Sequence, residues 1–246
     1  MSSFSKEFRE HLKTEHNLGR MSEFLREIVY GGNDGIVTTF AVVAGFAGAG
    51  AKGAAVVGGI AVLLFGLANL FADATSMALG AFLSARSEAD IYRSARAREL
   101  DEIHRNPDLE RAELVEILRT KNVPDPDIAA FADLYGRNPE LLADFMMQNE
   151  IGMSDPTGGN PAQDALATFL AFLFFGAIPL IPYFLMEPDR ATFHWSVFAT
   201  FAALVLLGLL RWRVTAETAI RCVAETVAVG GICAAIAYLV GMLVSA

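Results

Sequence analysis

The chain has 246 residues, and 54% of them are hydrophobic before its 21 glycines are counted. An average soluble domain reaches about 45–50% apolar only with glycine included, so this composition argues against an ordinary soluble enzyme. The charged residues still make up 19%, with a formal net charge of −9. That is too much charge for a chain lying wholly in lipid, and its sign argues against nucleic acid and anionic membrane surfaces, leaving cations as natural partners.

Residues 1–27 are mixed charged and polar, without the apolar core of a signal peptide. Phe4, Phe8 and Leu12 recur at helical spacing, as do Met21, Leu25 and Ile28, which predicts an amphipathic helix on the cytoplasmic face. Ile36 to Ala51 is uncharged but short, and reaches spanning length only if Tyr30 to Gly35 join it; Asp34 then lies at or inside the membrane boundary. Gly53–Leu83 carries only Asp73, and Cys222–Ala246 only Glu225, while Ala165–Met186 and Thr192–Leu210 carry no charge. Each of these four is close to or beyond the roughly 20 residues that a helix needs to cross about 30 Å of hydrocarbon. The expected fold is therefore an all-α integral membrane protein with five transmembrane helices, two in residues 28–85 and three in 165–246. Gly45, Gly48, Gly50, Gly58 and Gly59 would allow close helix packing.

Of the 19 Lys and Arg residues, all but Lys52 and Arg190 fall before span one, between spans two and three, or between spans four and five. This bias puts the N-terminus and the middle segment in the cytoplasm and the C-terminus outside. Cys222 and Cys233, eleven residues apart in the last span, are too far apart on one helix to pair and read as buried apolar thiols.

Most of the net charge lies in one place. Ser84 to Asp164 holds 17 of the 28 acidic residues against 9 basic ones, so residues 86–164 form an acidic cytoplasmic insertion. Span two continues unbroken to Arg105. Asn106-Pro107 ends it and opens a helix to about Lys121, a short helix follows near Ile128–Tyr135, and Asn138-Pro139 opens another reaching Ile151. Glu99 and Glu102 are i,i+3 neighbours, as are Glu110 and Glu113, with Glu116 one step on. Like charges so spaced repel, and a bound cation would reverse that sign. Glu150 follows Met146 and Met147 within one turn, so its carboxylate can reach both thioethers. Carboxylates with thioethers and no thiolate suit Fe²⁺, with Mn²⁺ or Co²⁺ close. The plainer alternatives are a solvated Glu face and a methionine core, and His104 beside Glu102 is another conceivable ligand. Within the spans, ionisable groups mark ion or proton paths: Asp34, and Asp73 with Asn69 one turn before and Met77 one turn after. The alternatives there are a helix N-cap for Asp34 and a polar helix contact for Glu225. Pro179 and Pro182 should kink span three.

Asn33-Asp34-Gly35-Ile36-Val37-Thr38-Thr39-Phe40, Ser76-Met77-Ala78-Leu79-Gly80, Ser87-Glu88-Ala89-Asp90, Asp144-Phe145-Met146-Met147 and Arg213-Val214-Thr215 together resemble the vacuolar iron transporter family, in a short bacterial-type form. The resemblance runs in order from about Arg26 to the C-terminus. It implies a five-helix homodimer that moves Fe²⁺ out of the cytoplasm in exchange for protons. It further implies that Asp34 and Met77 line the membrane path, and that Glu99, Glu102, Glu110, Glu113, Met146, Met147 and Glu150 form a cytoplasmic metal site. Where the family often has a second-span carboxylate this chain has Asn69, which cannot take a proton, and Asp73 is its nearest substitute. Mn²⁺, Co²⁺ or Zn²⁺ are further candidate cargoes. The lipid bilayer is the surrounding partner, in the cell membrane, or the vacuolar membrane of a eukaryote. A membrane-anchored protein that stores or oxidises iron is the rival reading, but such sites usually use Glu-x-x-His pairs, and no Glu here has His three residues on. A metal sensor merely anchored in the membrane is a further alternative.

Overall fold

A computed structural model describes residues 24–48, 55–187, 190–215 and 217–245. The predicted amphipathic segment lies outside these up to residue 23, as do Gly50 and Lys52. Among the described residues all regular structure is helical: α1 (Leu25–Gly48), α2 (Ala55–Arg105), α3 (Pro107–Thr120), α4 (Asp125–Gly136), α5 (Pro139–Asn149), α6 (Pro161–Ala177), α7 (Ile181–Leu185), α8 (Arg190–Val214) and α9 (Ala219–Ser245), with 3₁₀ turns at Pro156–Gly158 and Ile178–Leu180. The chain divides into two compact units, Phe82–Pro161 and the remainder.

Among the described residues four helical stretches are long and apolar enough to cross a membrane, Gly59–Arg105, Pro161–Leu185, Ala191–Val214 and Ala219–Leu243; the first of them runs on into the Phe82–Pro161 unit. Helix α1 is not among them, because Asn33, Asp34 and three glycines dilute its first half. It packs most extensively on α9 and α8, burying Ile36, Phe40, Val43 and Ala44. Against α6 the approach is backbone to backbone. A Cβ on Gly35 would fall 2.5 Å from the Phe172 carbonyl oxygen, one on Gly31 2.7 Å from that of Thr168, and one on Gly176 2.8 Å from that of Gly35. Of the glycines singled out above, Gly45 makes such a contact through its backbone, since a Cβ on Gly241 would meet its carbonyl oxygen at 2.7 Å. The tightest α1 contacts lie earlier, in the Gly31–Gly35 stretch that extends the short apolar run to spanning length.

Helix α6 starts at Pro161, four residues before the expected apolar onset, and breaks at Ile178–Leu180 before α7. The break is one of geometry, from α to 3₁₀, and Pro161–Leu185 still runs as one helical stretch. Pro182 has no N–H to offer the Pro179 carbonyl three residues back. Ser196 of α8 fills that role, its buried Oγ donating to the Pro179 oxygen at 2.6 Å. Thr38, Thr168, Thr200 and Thr226 each donate to the carbonyl four residues back, so these hydroxyls enter apolar surroundings already satisfied. At the other end of α8, Arg211 pairs with Glu225 at 2.8 Å, and Arg221 joins Glu225 and Glu217. Glu225 is therefore the polar helix contact that its position suggested. Cys222 is buried and Cys233 half-buried, both free.

The Phe82–Pro161 unit is built on the charged end of α2. This helix has 51 residues, about 76 Å at 1.5 Å each, more than twice the hydrocarbon thickness that one span must cross. Helices α3, α4 and α5 each carry proline in the first turn, where the missing N–H costs no helical bond. Their inward faces close on Ile103, Leu114, Leu118, Ile128, Ala132, Leu142, Ala143 and Met146.

Candidate metal centre

Helix α2 supplies Glu99 and Glu102, α3 supplies Glu110 and Glu113, and the end of α5 supplies Met146, Met147 and Glu150. Equal spacing conceals unequal burial. Glu99 and Glu110 are 5% and 3% exposed, Glu113 is half-buried, and Glu102, Glu116 and Glu150 are exposed. The solvated-face alternative thus holds for Glu116, which faces Arg119 at 3.6 Å, and fails for Glu99 and Glu110. Those two carboxyls lie within hydrogen-bonding reach of each other. Glu99 Oε1 and Glu110 Oε2 are nevertheless buried with no partner.

Burial pushes the Glu110 carboxyl up to about 7, with the charges of Glu99, Glu113, Glu150 and Glu102 adding to it. Glu99 is raised by burial first, then by Glu150 and Glu102. Glu150 is raised by desolvation, then by Glu113 and Glu102. Five carboxyl groups from three helices therefore share one electrostatic neighbourhood, where added negative charge is costly and a cation would relieve it. Among the described residues no three Asp, Glu, His or Cys side chains already converge on a point where an ion would sit. Any such site needs side-chain adjustment or the nearby thioethers.

Met146 and Met147 are fully buried. Met146 packs with Ile103 and Leu114, one turn beyond Glu99 and Glu110 respectively, and Met147 with Tyr92 and Ala95, Ala95 being one turn before Glu99. The two sulfurs thus bracket Glu99 along α2 while also serving as core. His104 is exposed, its Nδ1 on the Leu100 carbonyl. An open recess of about 710 Å³ bordered by His104, Asp108, Arg111 and Asp133 reaches Glu110. Arg96 was not anticipated. Its Nε donates to Asp144 Oδ1 and its Nη2 to Glu140 Oε2, both at 2.7 Å. A pairing across 48 positions leaves no local signal, although Asp144 stood in one of the quoted motifs.

In the larger unit Asp34 lies well inside α1, so it is no N-cap. It is half-buried, its carbonyl accepts from Thr38 at 2.9 Å, and its carboxyl is close enough to Asp73 for the two charges to interact. Asn69 Nδ2 donates to Asp73 Oδ2 at 2.7 Å. Met77, one turn further on, is half-buried against the Leu70, Ala74 and Phe172 cluster.

An all-helical membrane protein with four helices long and apolar enough to cross a bilayer, and a second unit holding buried glutamates and buried methionines, is the class that fold and site define. The VIT family model matches residues 25–242, and the chain belongs to that family. It is 34% identical over 216 residues to vacuolar iron transporter 1 of Oryza sativa subsp. japonica, covering 88% of this chain and 83% of the relative. Similarity to vacuolar iron transporter 1 of Arabidopsis thaliana is 33% over 222 residues, 90% of this chain and 86% of the other. The vacuolar iron transporter of Plasmodium berghei (strain Anka) is 31% identical over 255 residues, 97% and 90% of the two chains.

Proposed function

We propose that this chain is a homodimeric divalent metal transporter that exports Fe²⁺ from the cytoplasm in exchange for protons. The observation that carries the metal reading is the pair of buried, mutually close glutamates, each with a partnerless oxygen, beside two buried thioethers. A proton can neutralise such a pair in part, and a divalent cation neutralises it in full. In this reading Glu99, Glu102, Glu110, Glu113 and Glu150 collect the ion, and Met146 and Met147 bias the site toward softer divalent metals. Asp34, Asp73 and Met77 pass it through the bilayer.

Helix α1 serves as the fifth span, its 24 residues making about 36 Å of helix with Asp34 shielded among the other helices. The basic residues set the N-terminus and insertion on the cytoplasmic side, in the cell membrane or, in a eukaryote, the vacuolar membrane. A dimer is supported by α2, whose Ala68, Ala72, Ser76, Gly80 and Ser84 follow one another at i,i+4; Asn69 and Asp73 stand beside that stripe. Small residues so spaced allow a second helix to approach closely. Because Asn69 cannot titrate and its amide engages Asp73, Asp34 is the group that carries the exchanged proton.

Purified protein in liposomes should move Fe²⁺ when a pH gradient is imposed, and a parallel panel of Mn²⁺, Co²⁺ and Zn²⁺ gives the selectivity. Asp34→Ala should abolish the flux. Undiminished transport by that variant would remove Asp34 from the path, and flux indifferent to the gradient would remove the proton exchange.

A further inference from the structure

Helix α5 carries both methionines, and what fixes its orientation against α2 is a seam one turn from Glu99. Arg96 is at the centre of that seam. Its guanidinium takes Asp144 through Nε and Glu140 through Nη2, each at 2.7 Å, with the Glu140 backbone carbonyl at 3.4 Å. Only 25% of the side chain is exposed, and the buried Tyr92 stands one turn before it on α2. Glu140 and Asp144 are i,i+4 on α5, so the planar fork grips one face of that helix at two heights. A lysine ammonium has no such fork. Met147 follows Asp144 by three residues and packs on Tyr92 and Ala95, which lie four and one residues before Arg96. The rotation of α5 that brings Asp144 to Arg96 is therefore the rotation that lays Met147 on α2 just before Glu99.

We infer that Arg96 is a positioning residue for metal selectivity. It holds the Met146 and Met147 sulfurs beside the Glu99–Glu110 pair, so that the preference for softer over harder divalent metals depends on the Arg96–Asp144–Glu140 clamp. The inference rests on the metal site proposed above. Arg96 touches no ion, and its two carboxylate partners neutralise it, so its charge sets no barrier to a cation. If α5 rotated, the four carboxylates of α2 and α3 would stay in place while the thioethers and Glu150, at the end of α5, left them. A harder ion such as Mn²⁺ would keep four of its five carboxylates, and a softer one such as Co²⁺ would lose its distinguishing ligands as well.

The test is calorimetric titration of the full-length protein in detergent with Co²⁺ and with Mn²⁺. Arg96→Gln and Asp144→Asn should each lower Co²⁺ affinity by about 10- to 100-fold, the usual scale for losing a group that orients a ligand, and Mn²⁺ affinity by less than about threefold. Met146→Leu with Met147→Leu should give the same signature, and adding Arg96→Gln to that pair should cost little more. Arg96→Lys keeps the charge and the fold while losing the fork, and should fall in the same direction by less. Equal losses for both metals, or a full further loss on top of the methionine changes, would overturn the clamp and leave Arg96 a general structural residue. The metal site is judged separately by Glu102→Ala with Glu113→Ala. If that variant binds both metals like the wild type, the site is overturned and the clamp's role with it; if it binds weakly while Arg96→Gln binds normally, the clamp alone is overturned.

Discussion

In the larger unit, helices meet where side chains are missing: Gly35 and Gly176 put two backbones in contact, and the hydroxyls of Thr38, Thr168, Thr200 and Thr226 are spent on carbonyls of their own helix, that of Ser196 on a carbonyl freed by proline, while the buried Thr39 hydroxyl has no partner. In the Phe82–Pro161 unit, helices are separated by methionines and leucines and tied by arginine forks, and two carboxyl oxygens are sealed in without partners. Backbone contact leaves one spacing and no adjustable atoms, which suits a wall. Long unbranched side chains around an uncompensated charge leave several arrangements within reach, which suits a site that must take in and give up an ion. Among the described residues unpartnered buried oxygens occur in both units, Glu27 Oε2 and Thr39 Oγ1 being those of the larger one; what sets the Phe82–Pro161 unit apart is that its two belong to carboxyls within reach of each other, and that concentration of charge is where to look for function.

The largest expected effect breaks the wall. Gly35→Ala puts a Cβ 2.5 Å from the Phe172 carbonyl oxygen, where only main chain could yield, so a loss of about 3 kcal/mol or more is expected. Poor recovery of monodisperse protein and a sharply lowered melting temperature would register it; wild-type stability would mean that α1 and α6 are not held as described. Glu110→Gln acts on the other unit. The folded-state value of Glu110, about 7, lies above its ordinary 4.5. The stability from its extra proton affinity is thus complete below about pH 4.5 and is lost as pH rises through 7. Metal-free wild-type protein should therefore show lower hydrogen-exchange protection in α3, relative to the intrinsic rate at each pH, at pH 8 than at pH 5.5. The glutamine variant should flatten that dependence, gain about 1–2 kcal/mol at pH 8, and bind metal at least about tenfold more weakly. In the wild type, metal displaces the proton, so affinity should rise across the same pH window.

Ser196→Ala leaves the Pro179 carbonyl without its side-chain donor and should cost about 1–2 kcal/mol, read as a lower melting temperature. The smallest effect sharpens the comparison from the opposite side. A Cβ on Gly80 meets nothing within 4 Å, so Gly80→Ala should be neutral or stabilise α2 by up to about 1 kcal/mol. Lost dimerisation in that variant, measured by light scattering, would place Gly80 at the contact between copies.

What could be read from the sequence follows the range of the forces involved. The ends of α2, α3 and α5 were legible to within about two residues, because Asn106-Pro107 and Asn138-Pro139 act on their own backbones. The acidic character of the Phe82–Pro161 unit was legible as a charge imbalance, and Asp34 and Asp73 as isolated charges in apolar runs. The division of the glutamate stripe into buried Glu99 and Glu110 and exposed Glu102 was not, since an i,i+3 pattern marks a face without saying what covers it. The Arg96 fork and the Ser196 bond join positions 48 and 17 residues apart, and neither partner looks unusual in its own neighbourhood. That Gly31 and Gly35 are where α1 meets α6 was not legible, because what they make room for lies on α6.

The contact between Gly35 and Gly176 also limits how this protein can vary. When two side chains collide in a core, a larger residue at one position can be offset by a smaller one at the other. Here both positions already hold the smallest residue, so neither can make room for a change in its partner. The pair has no compensating double substitution, and sequence drift around Asp34 must pass elsewhere along α1.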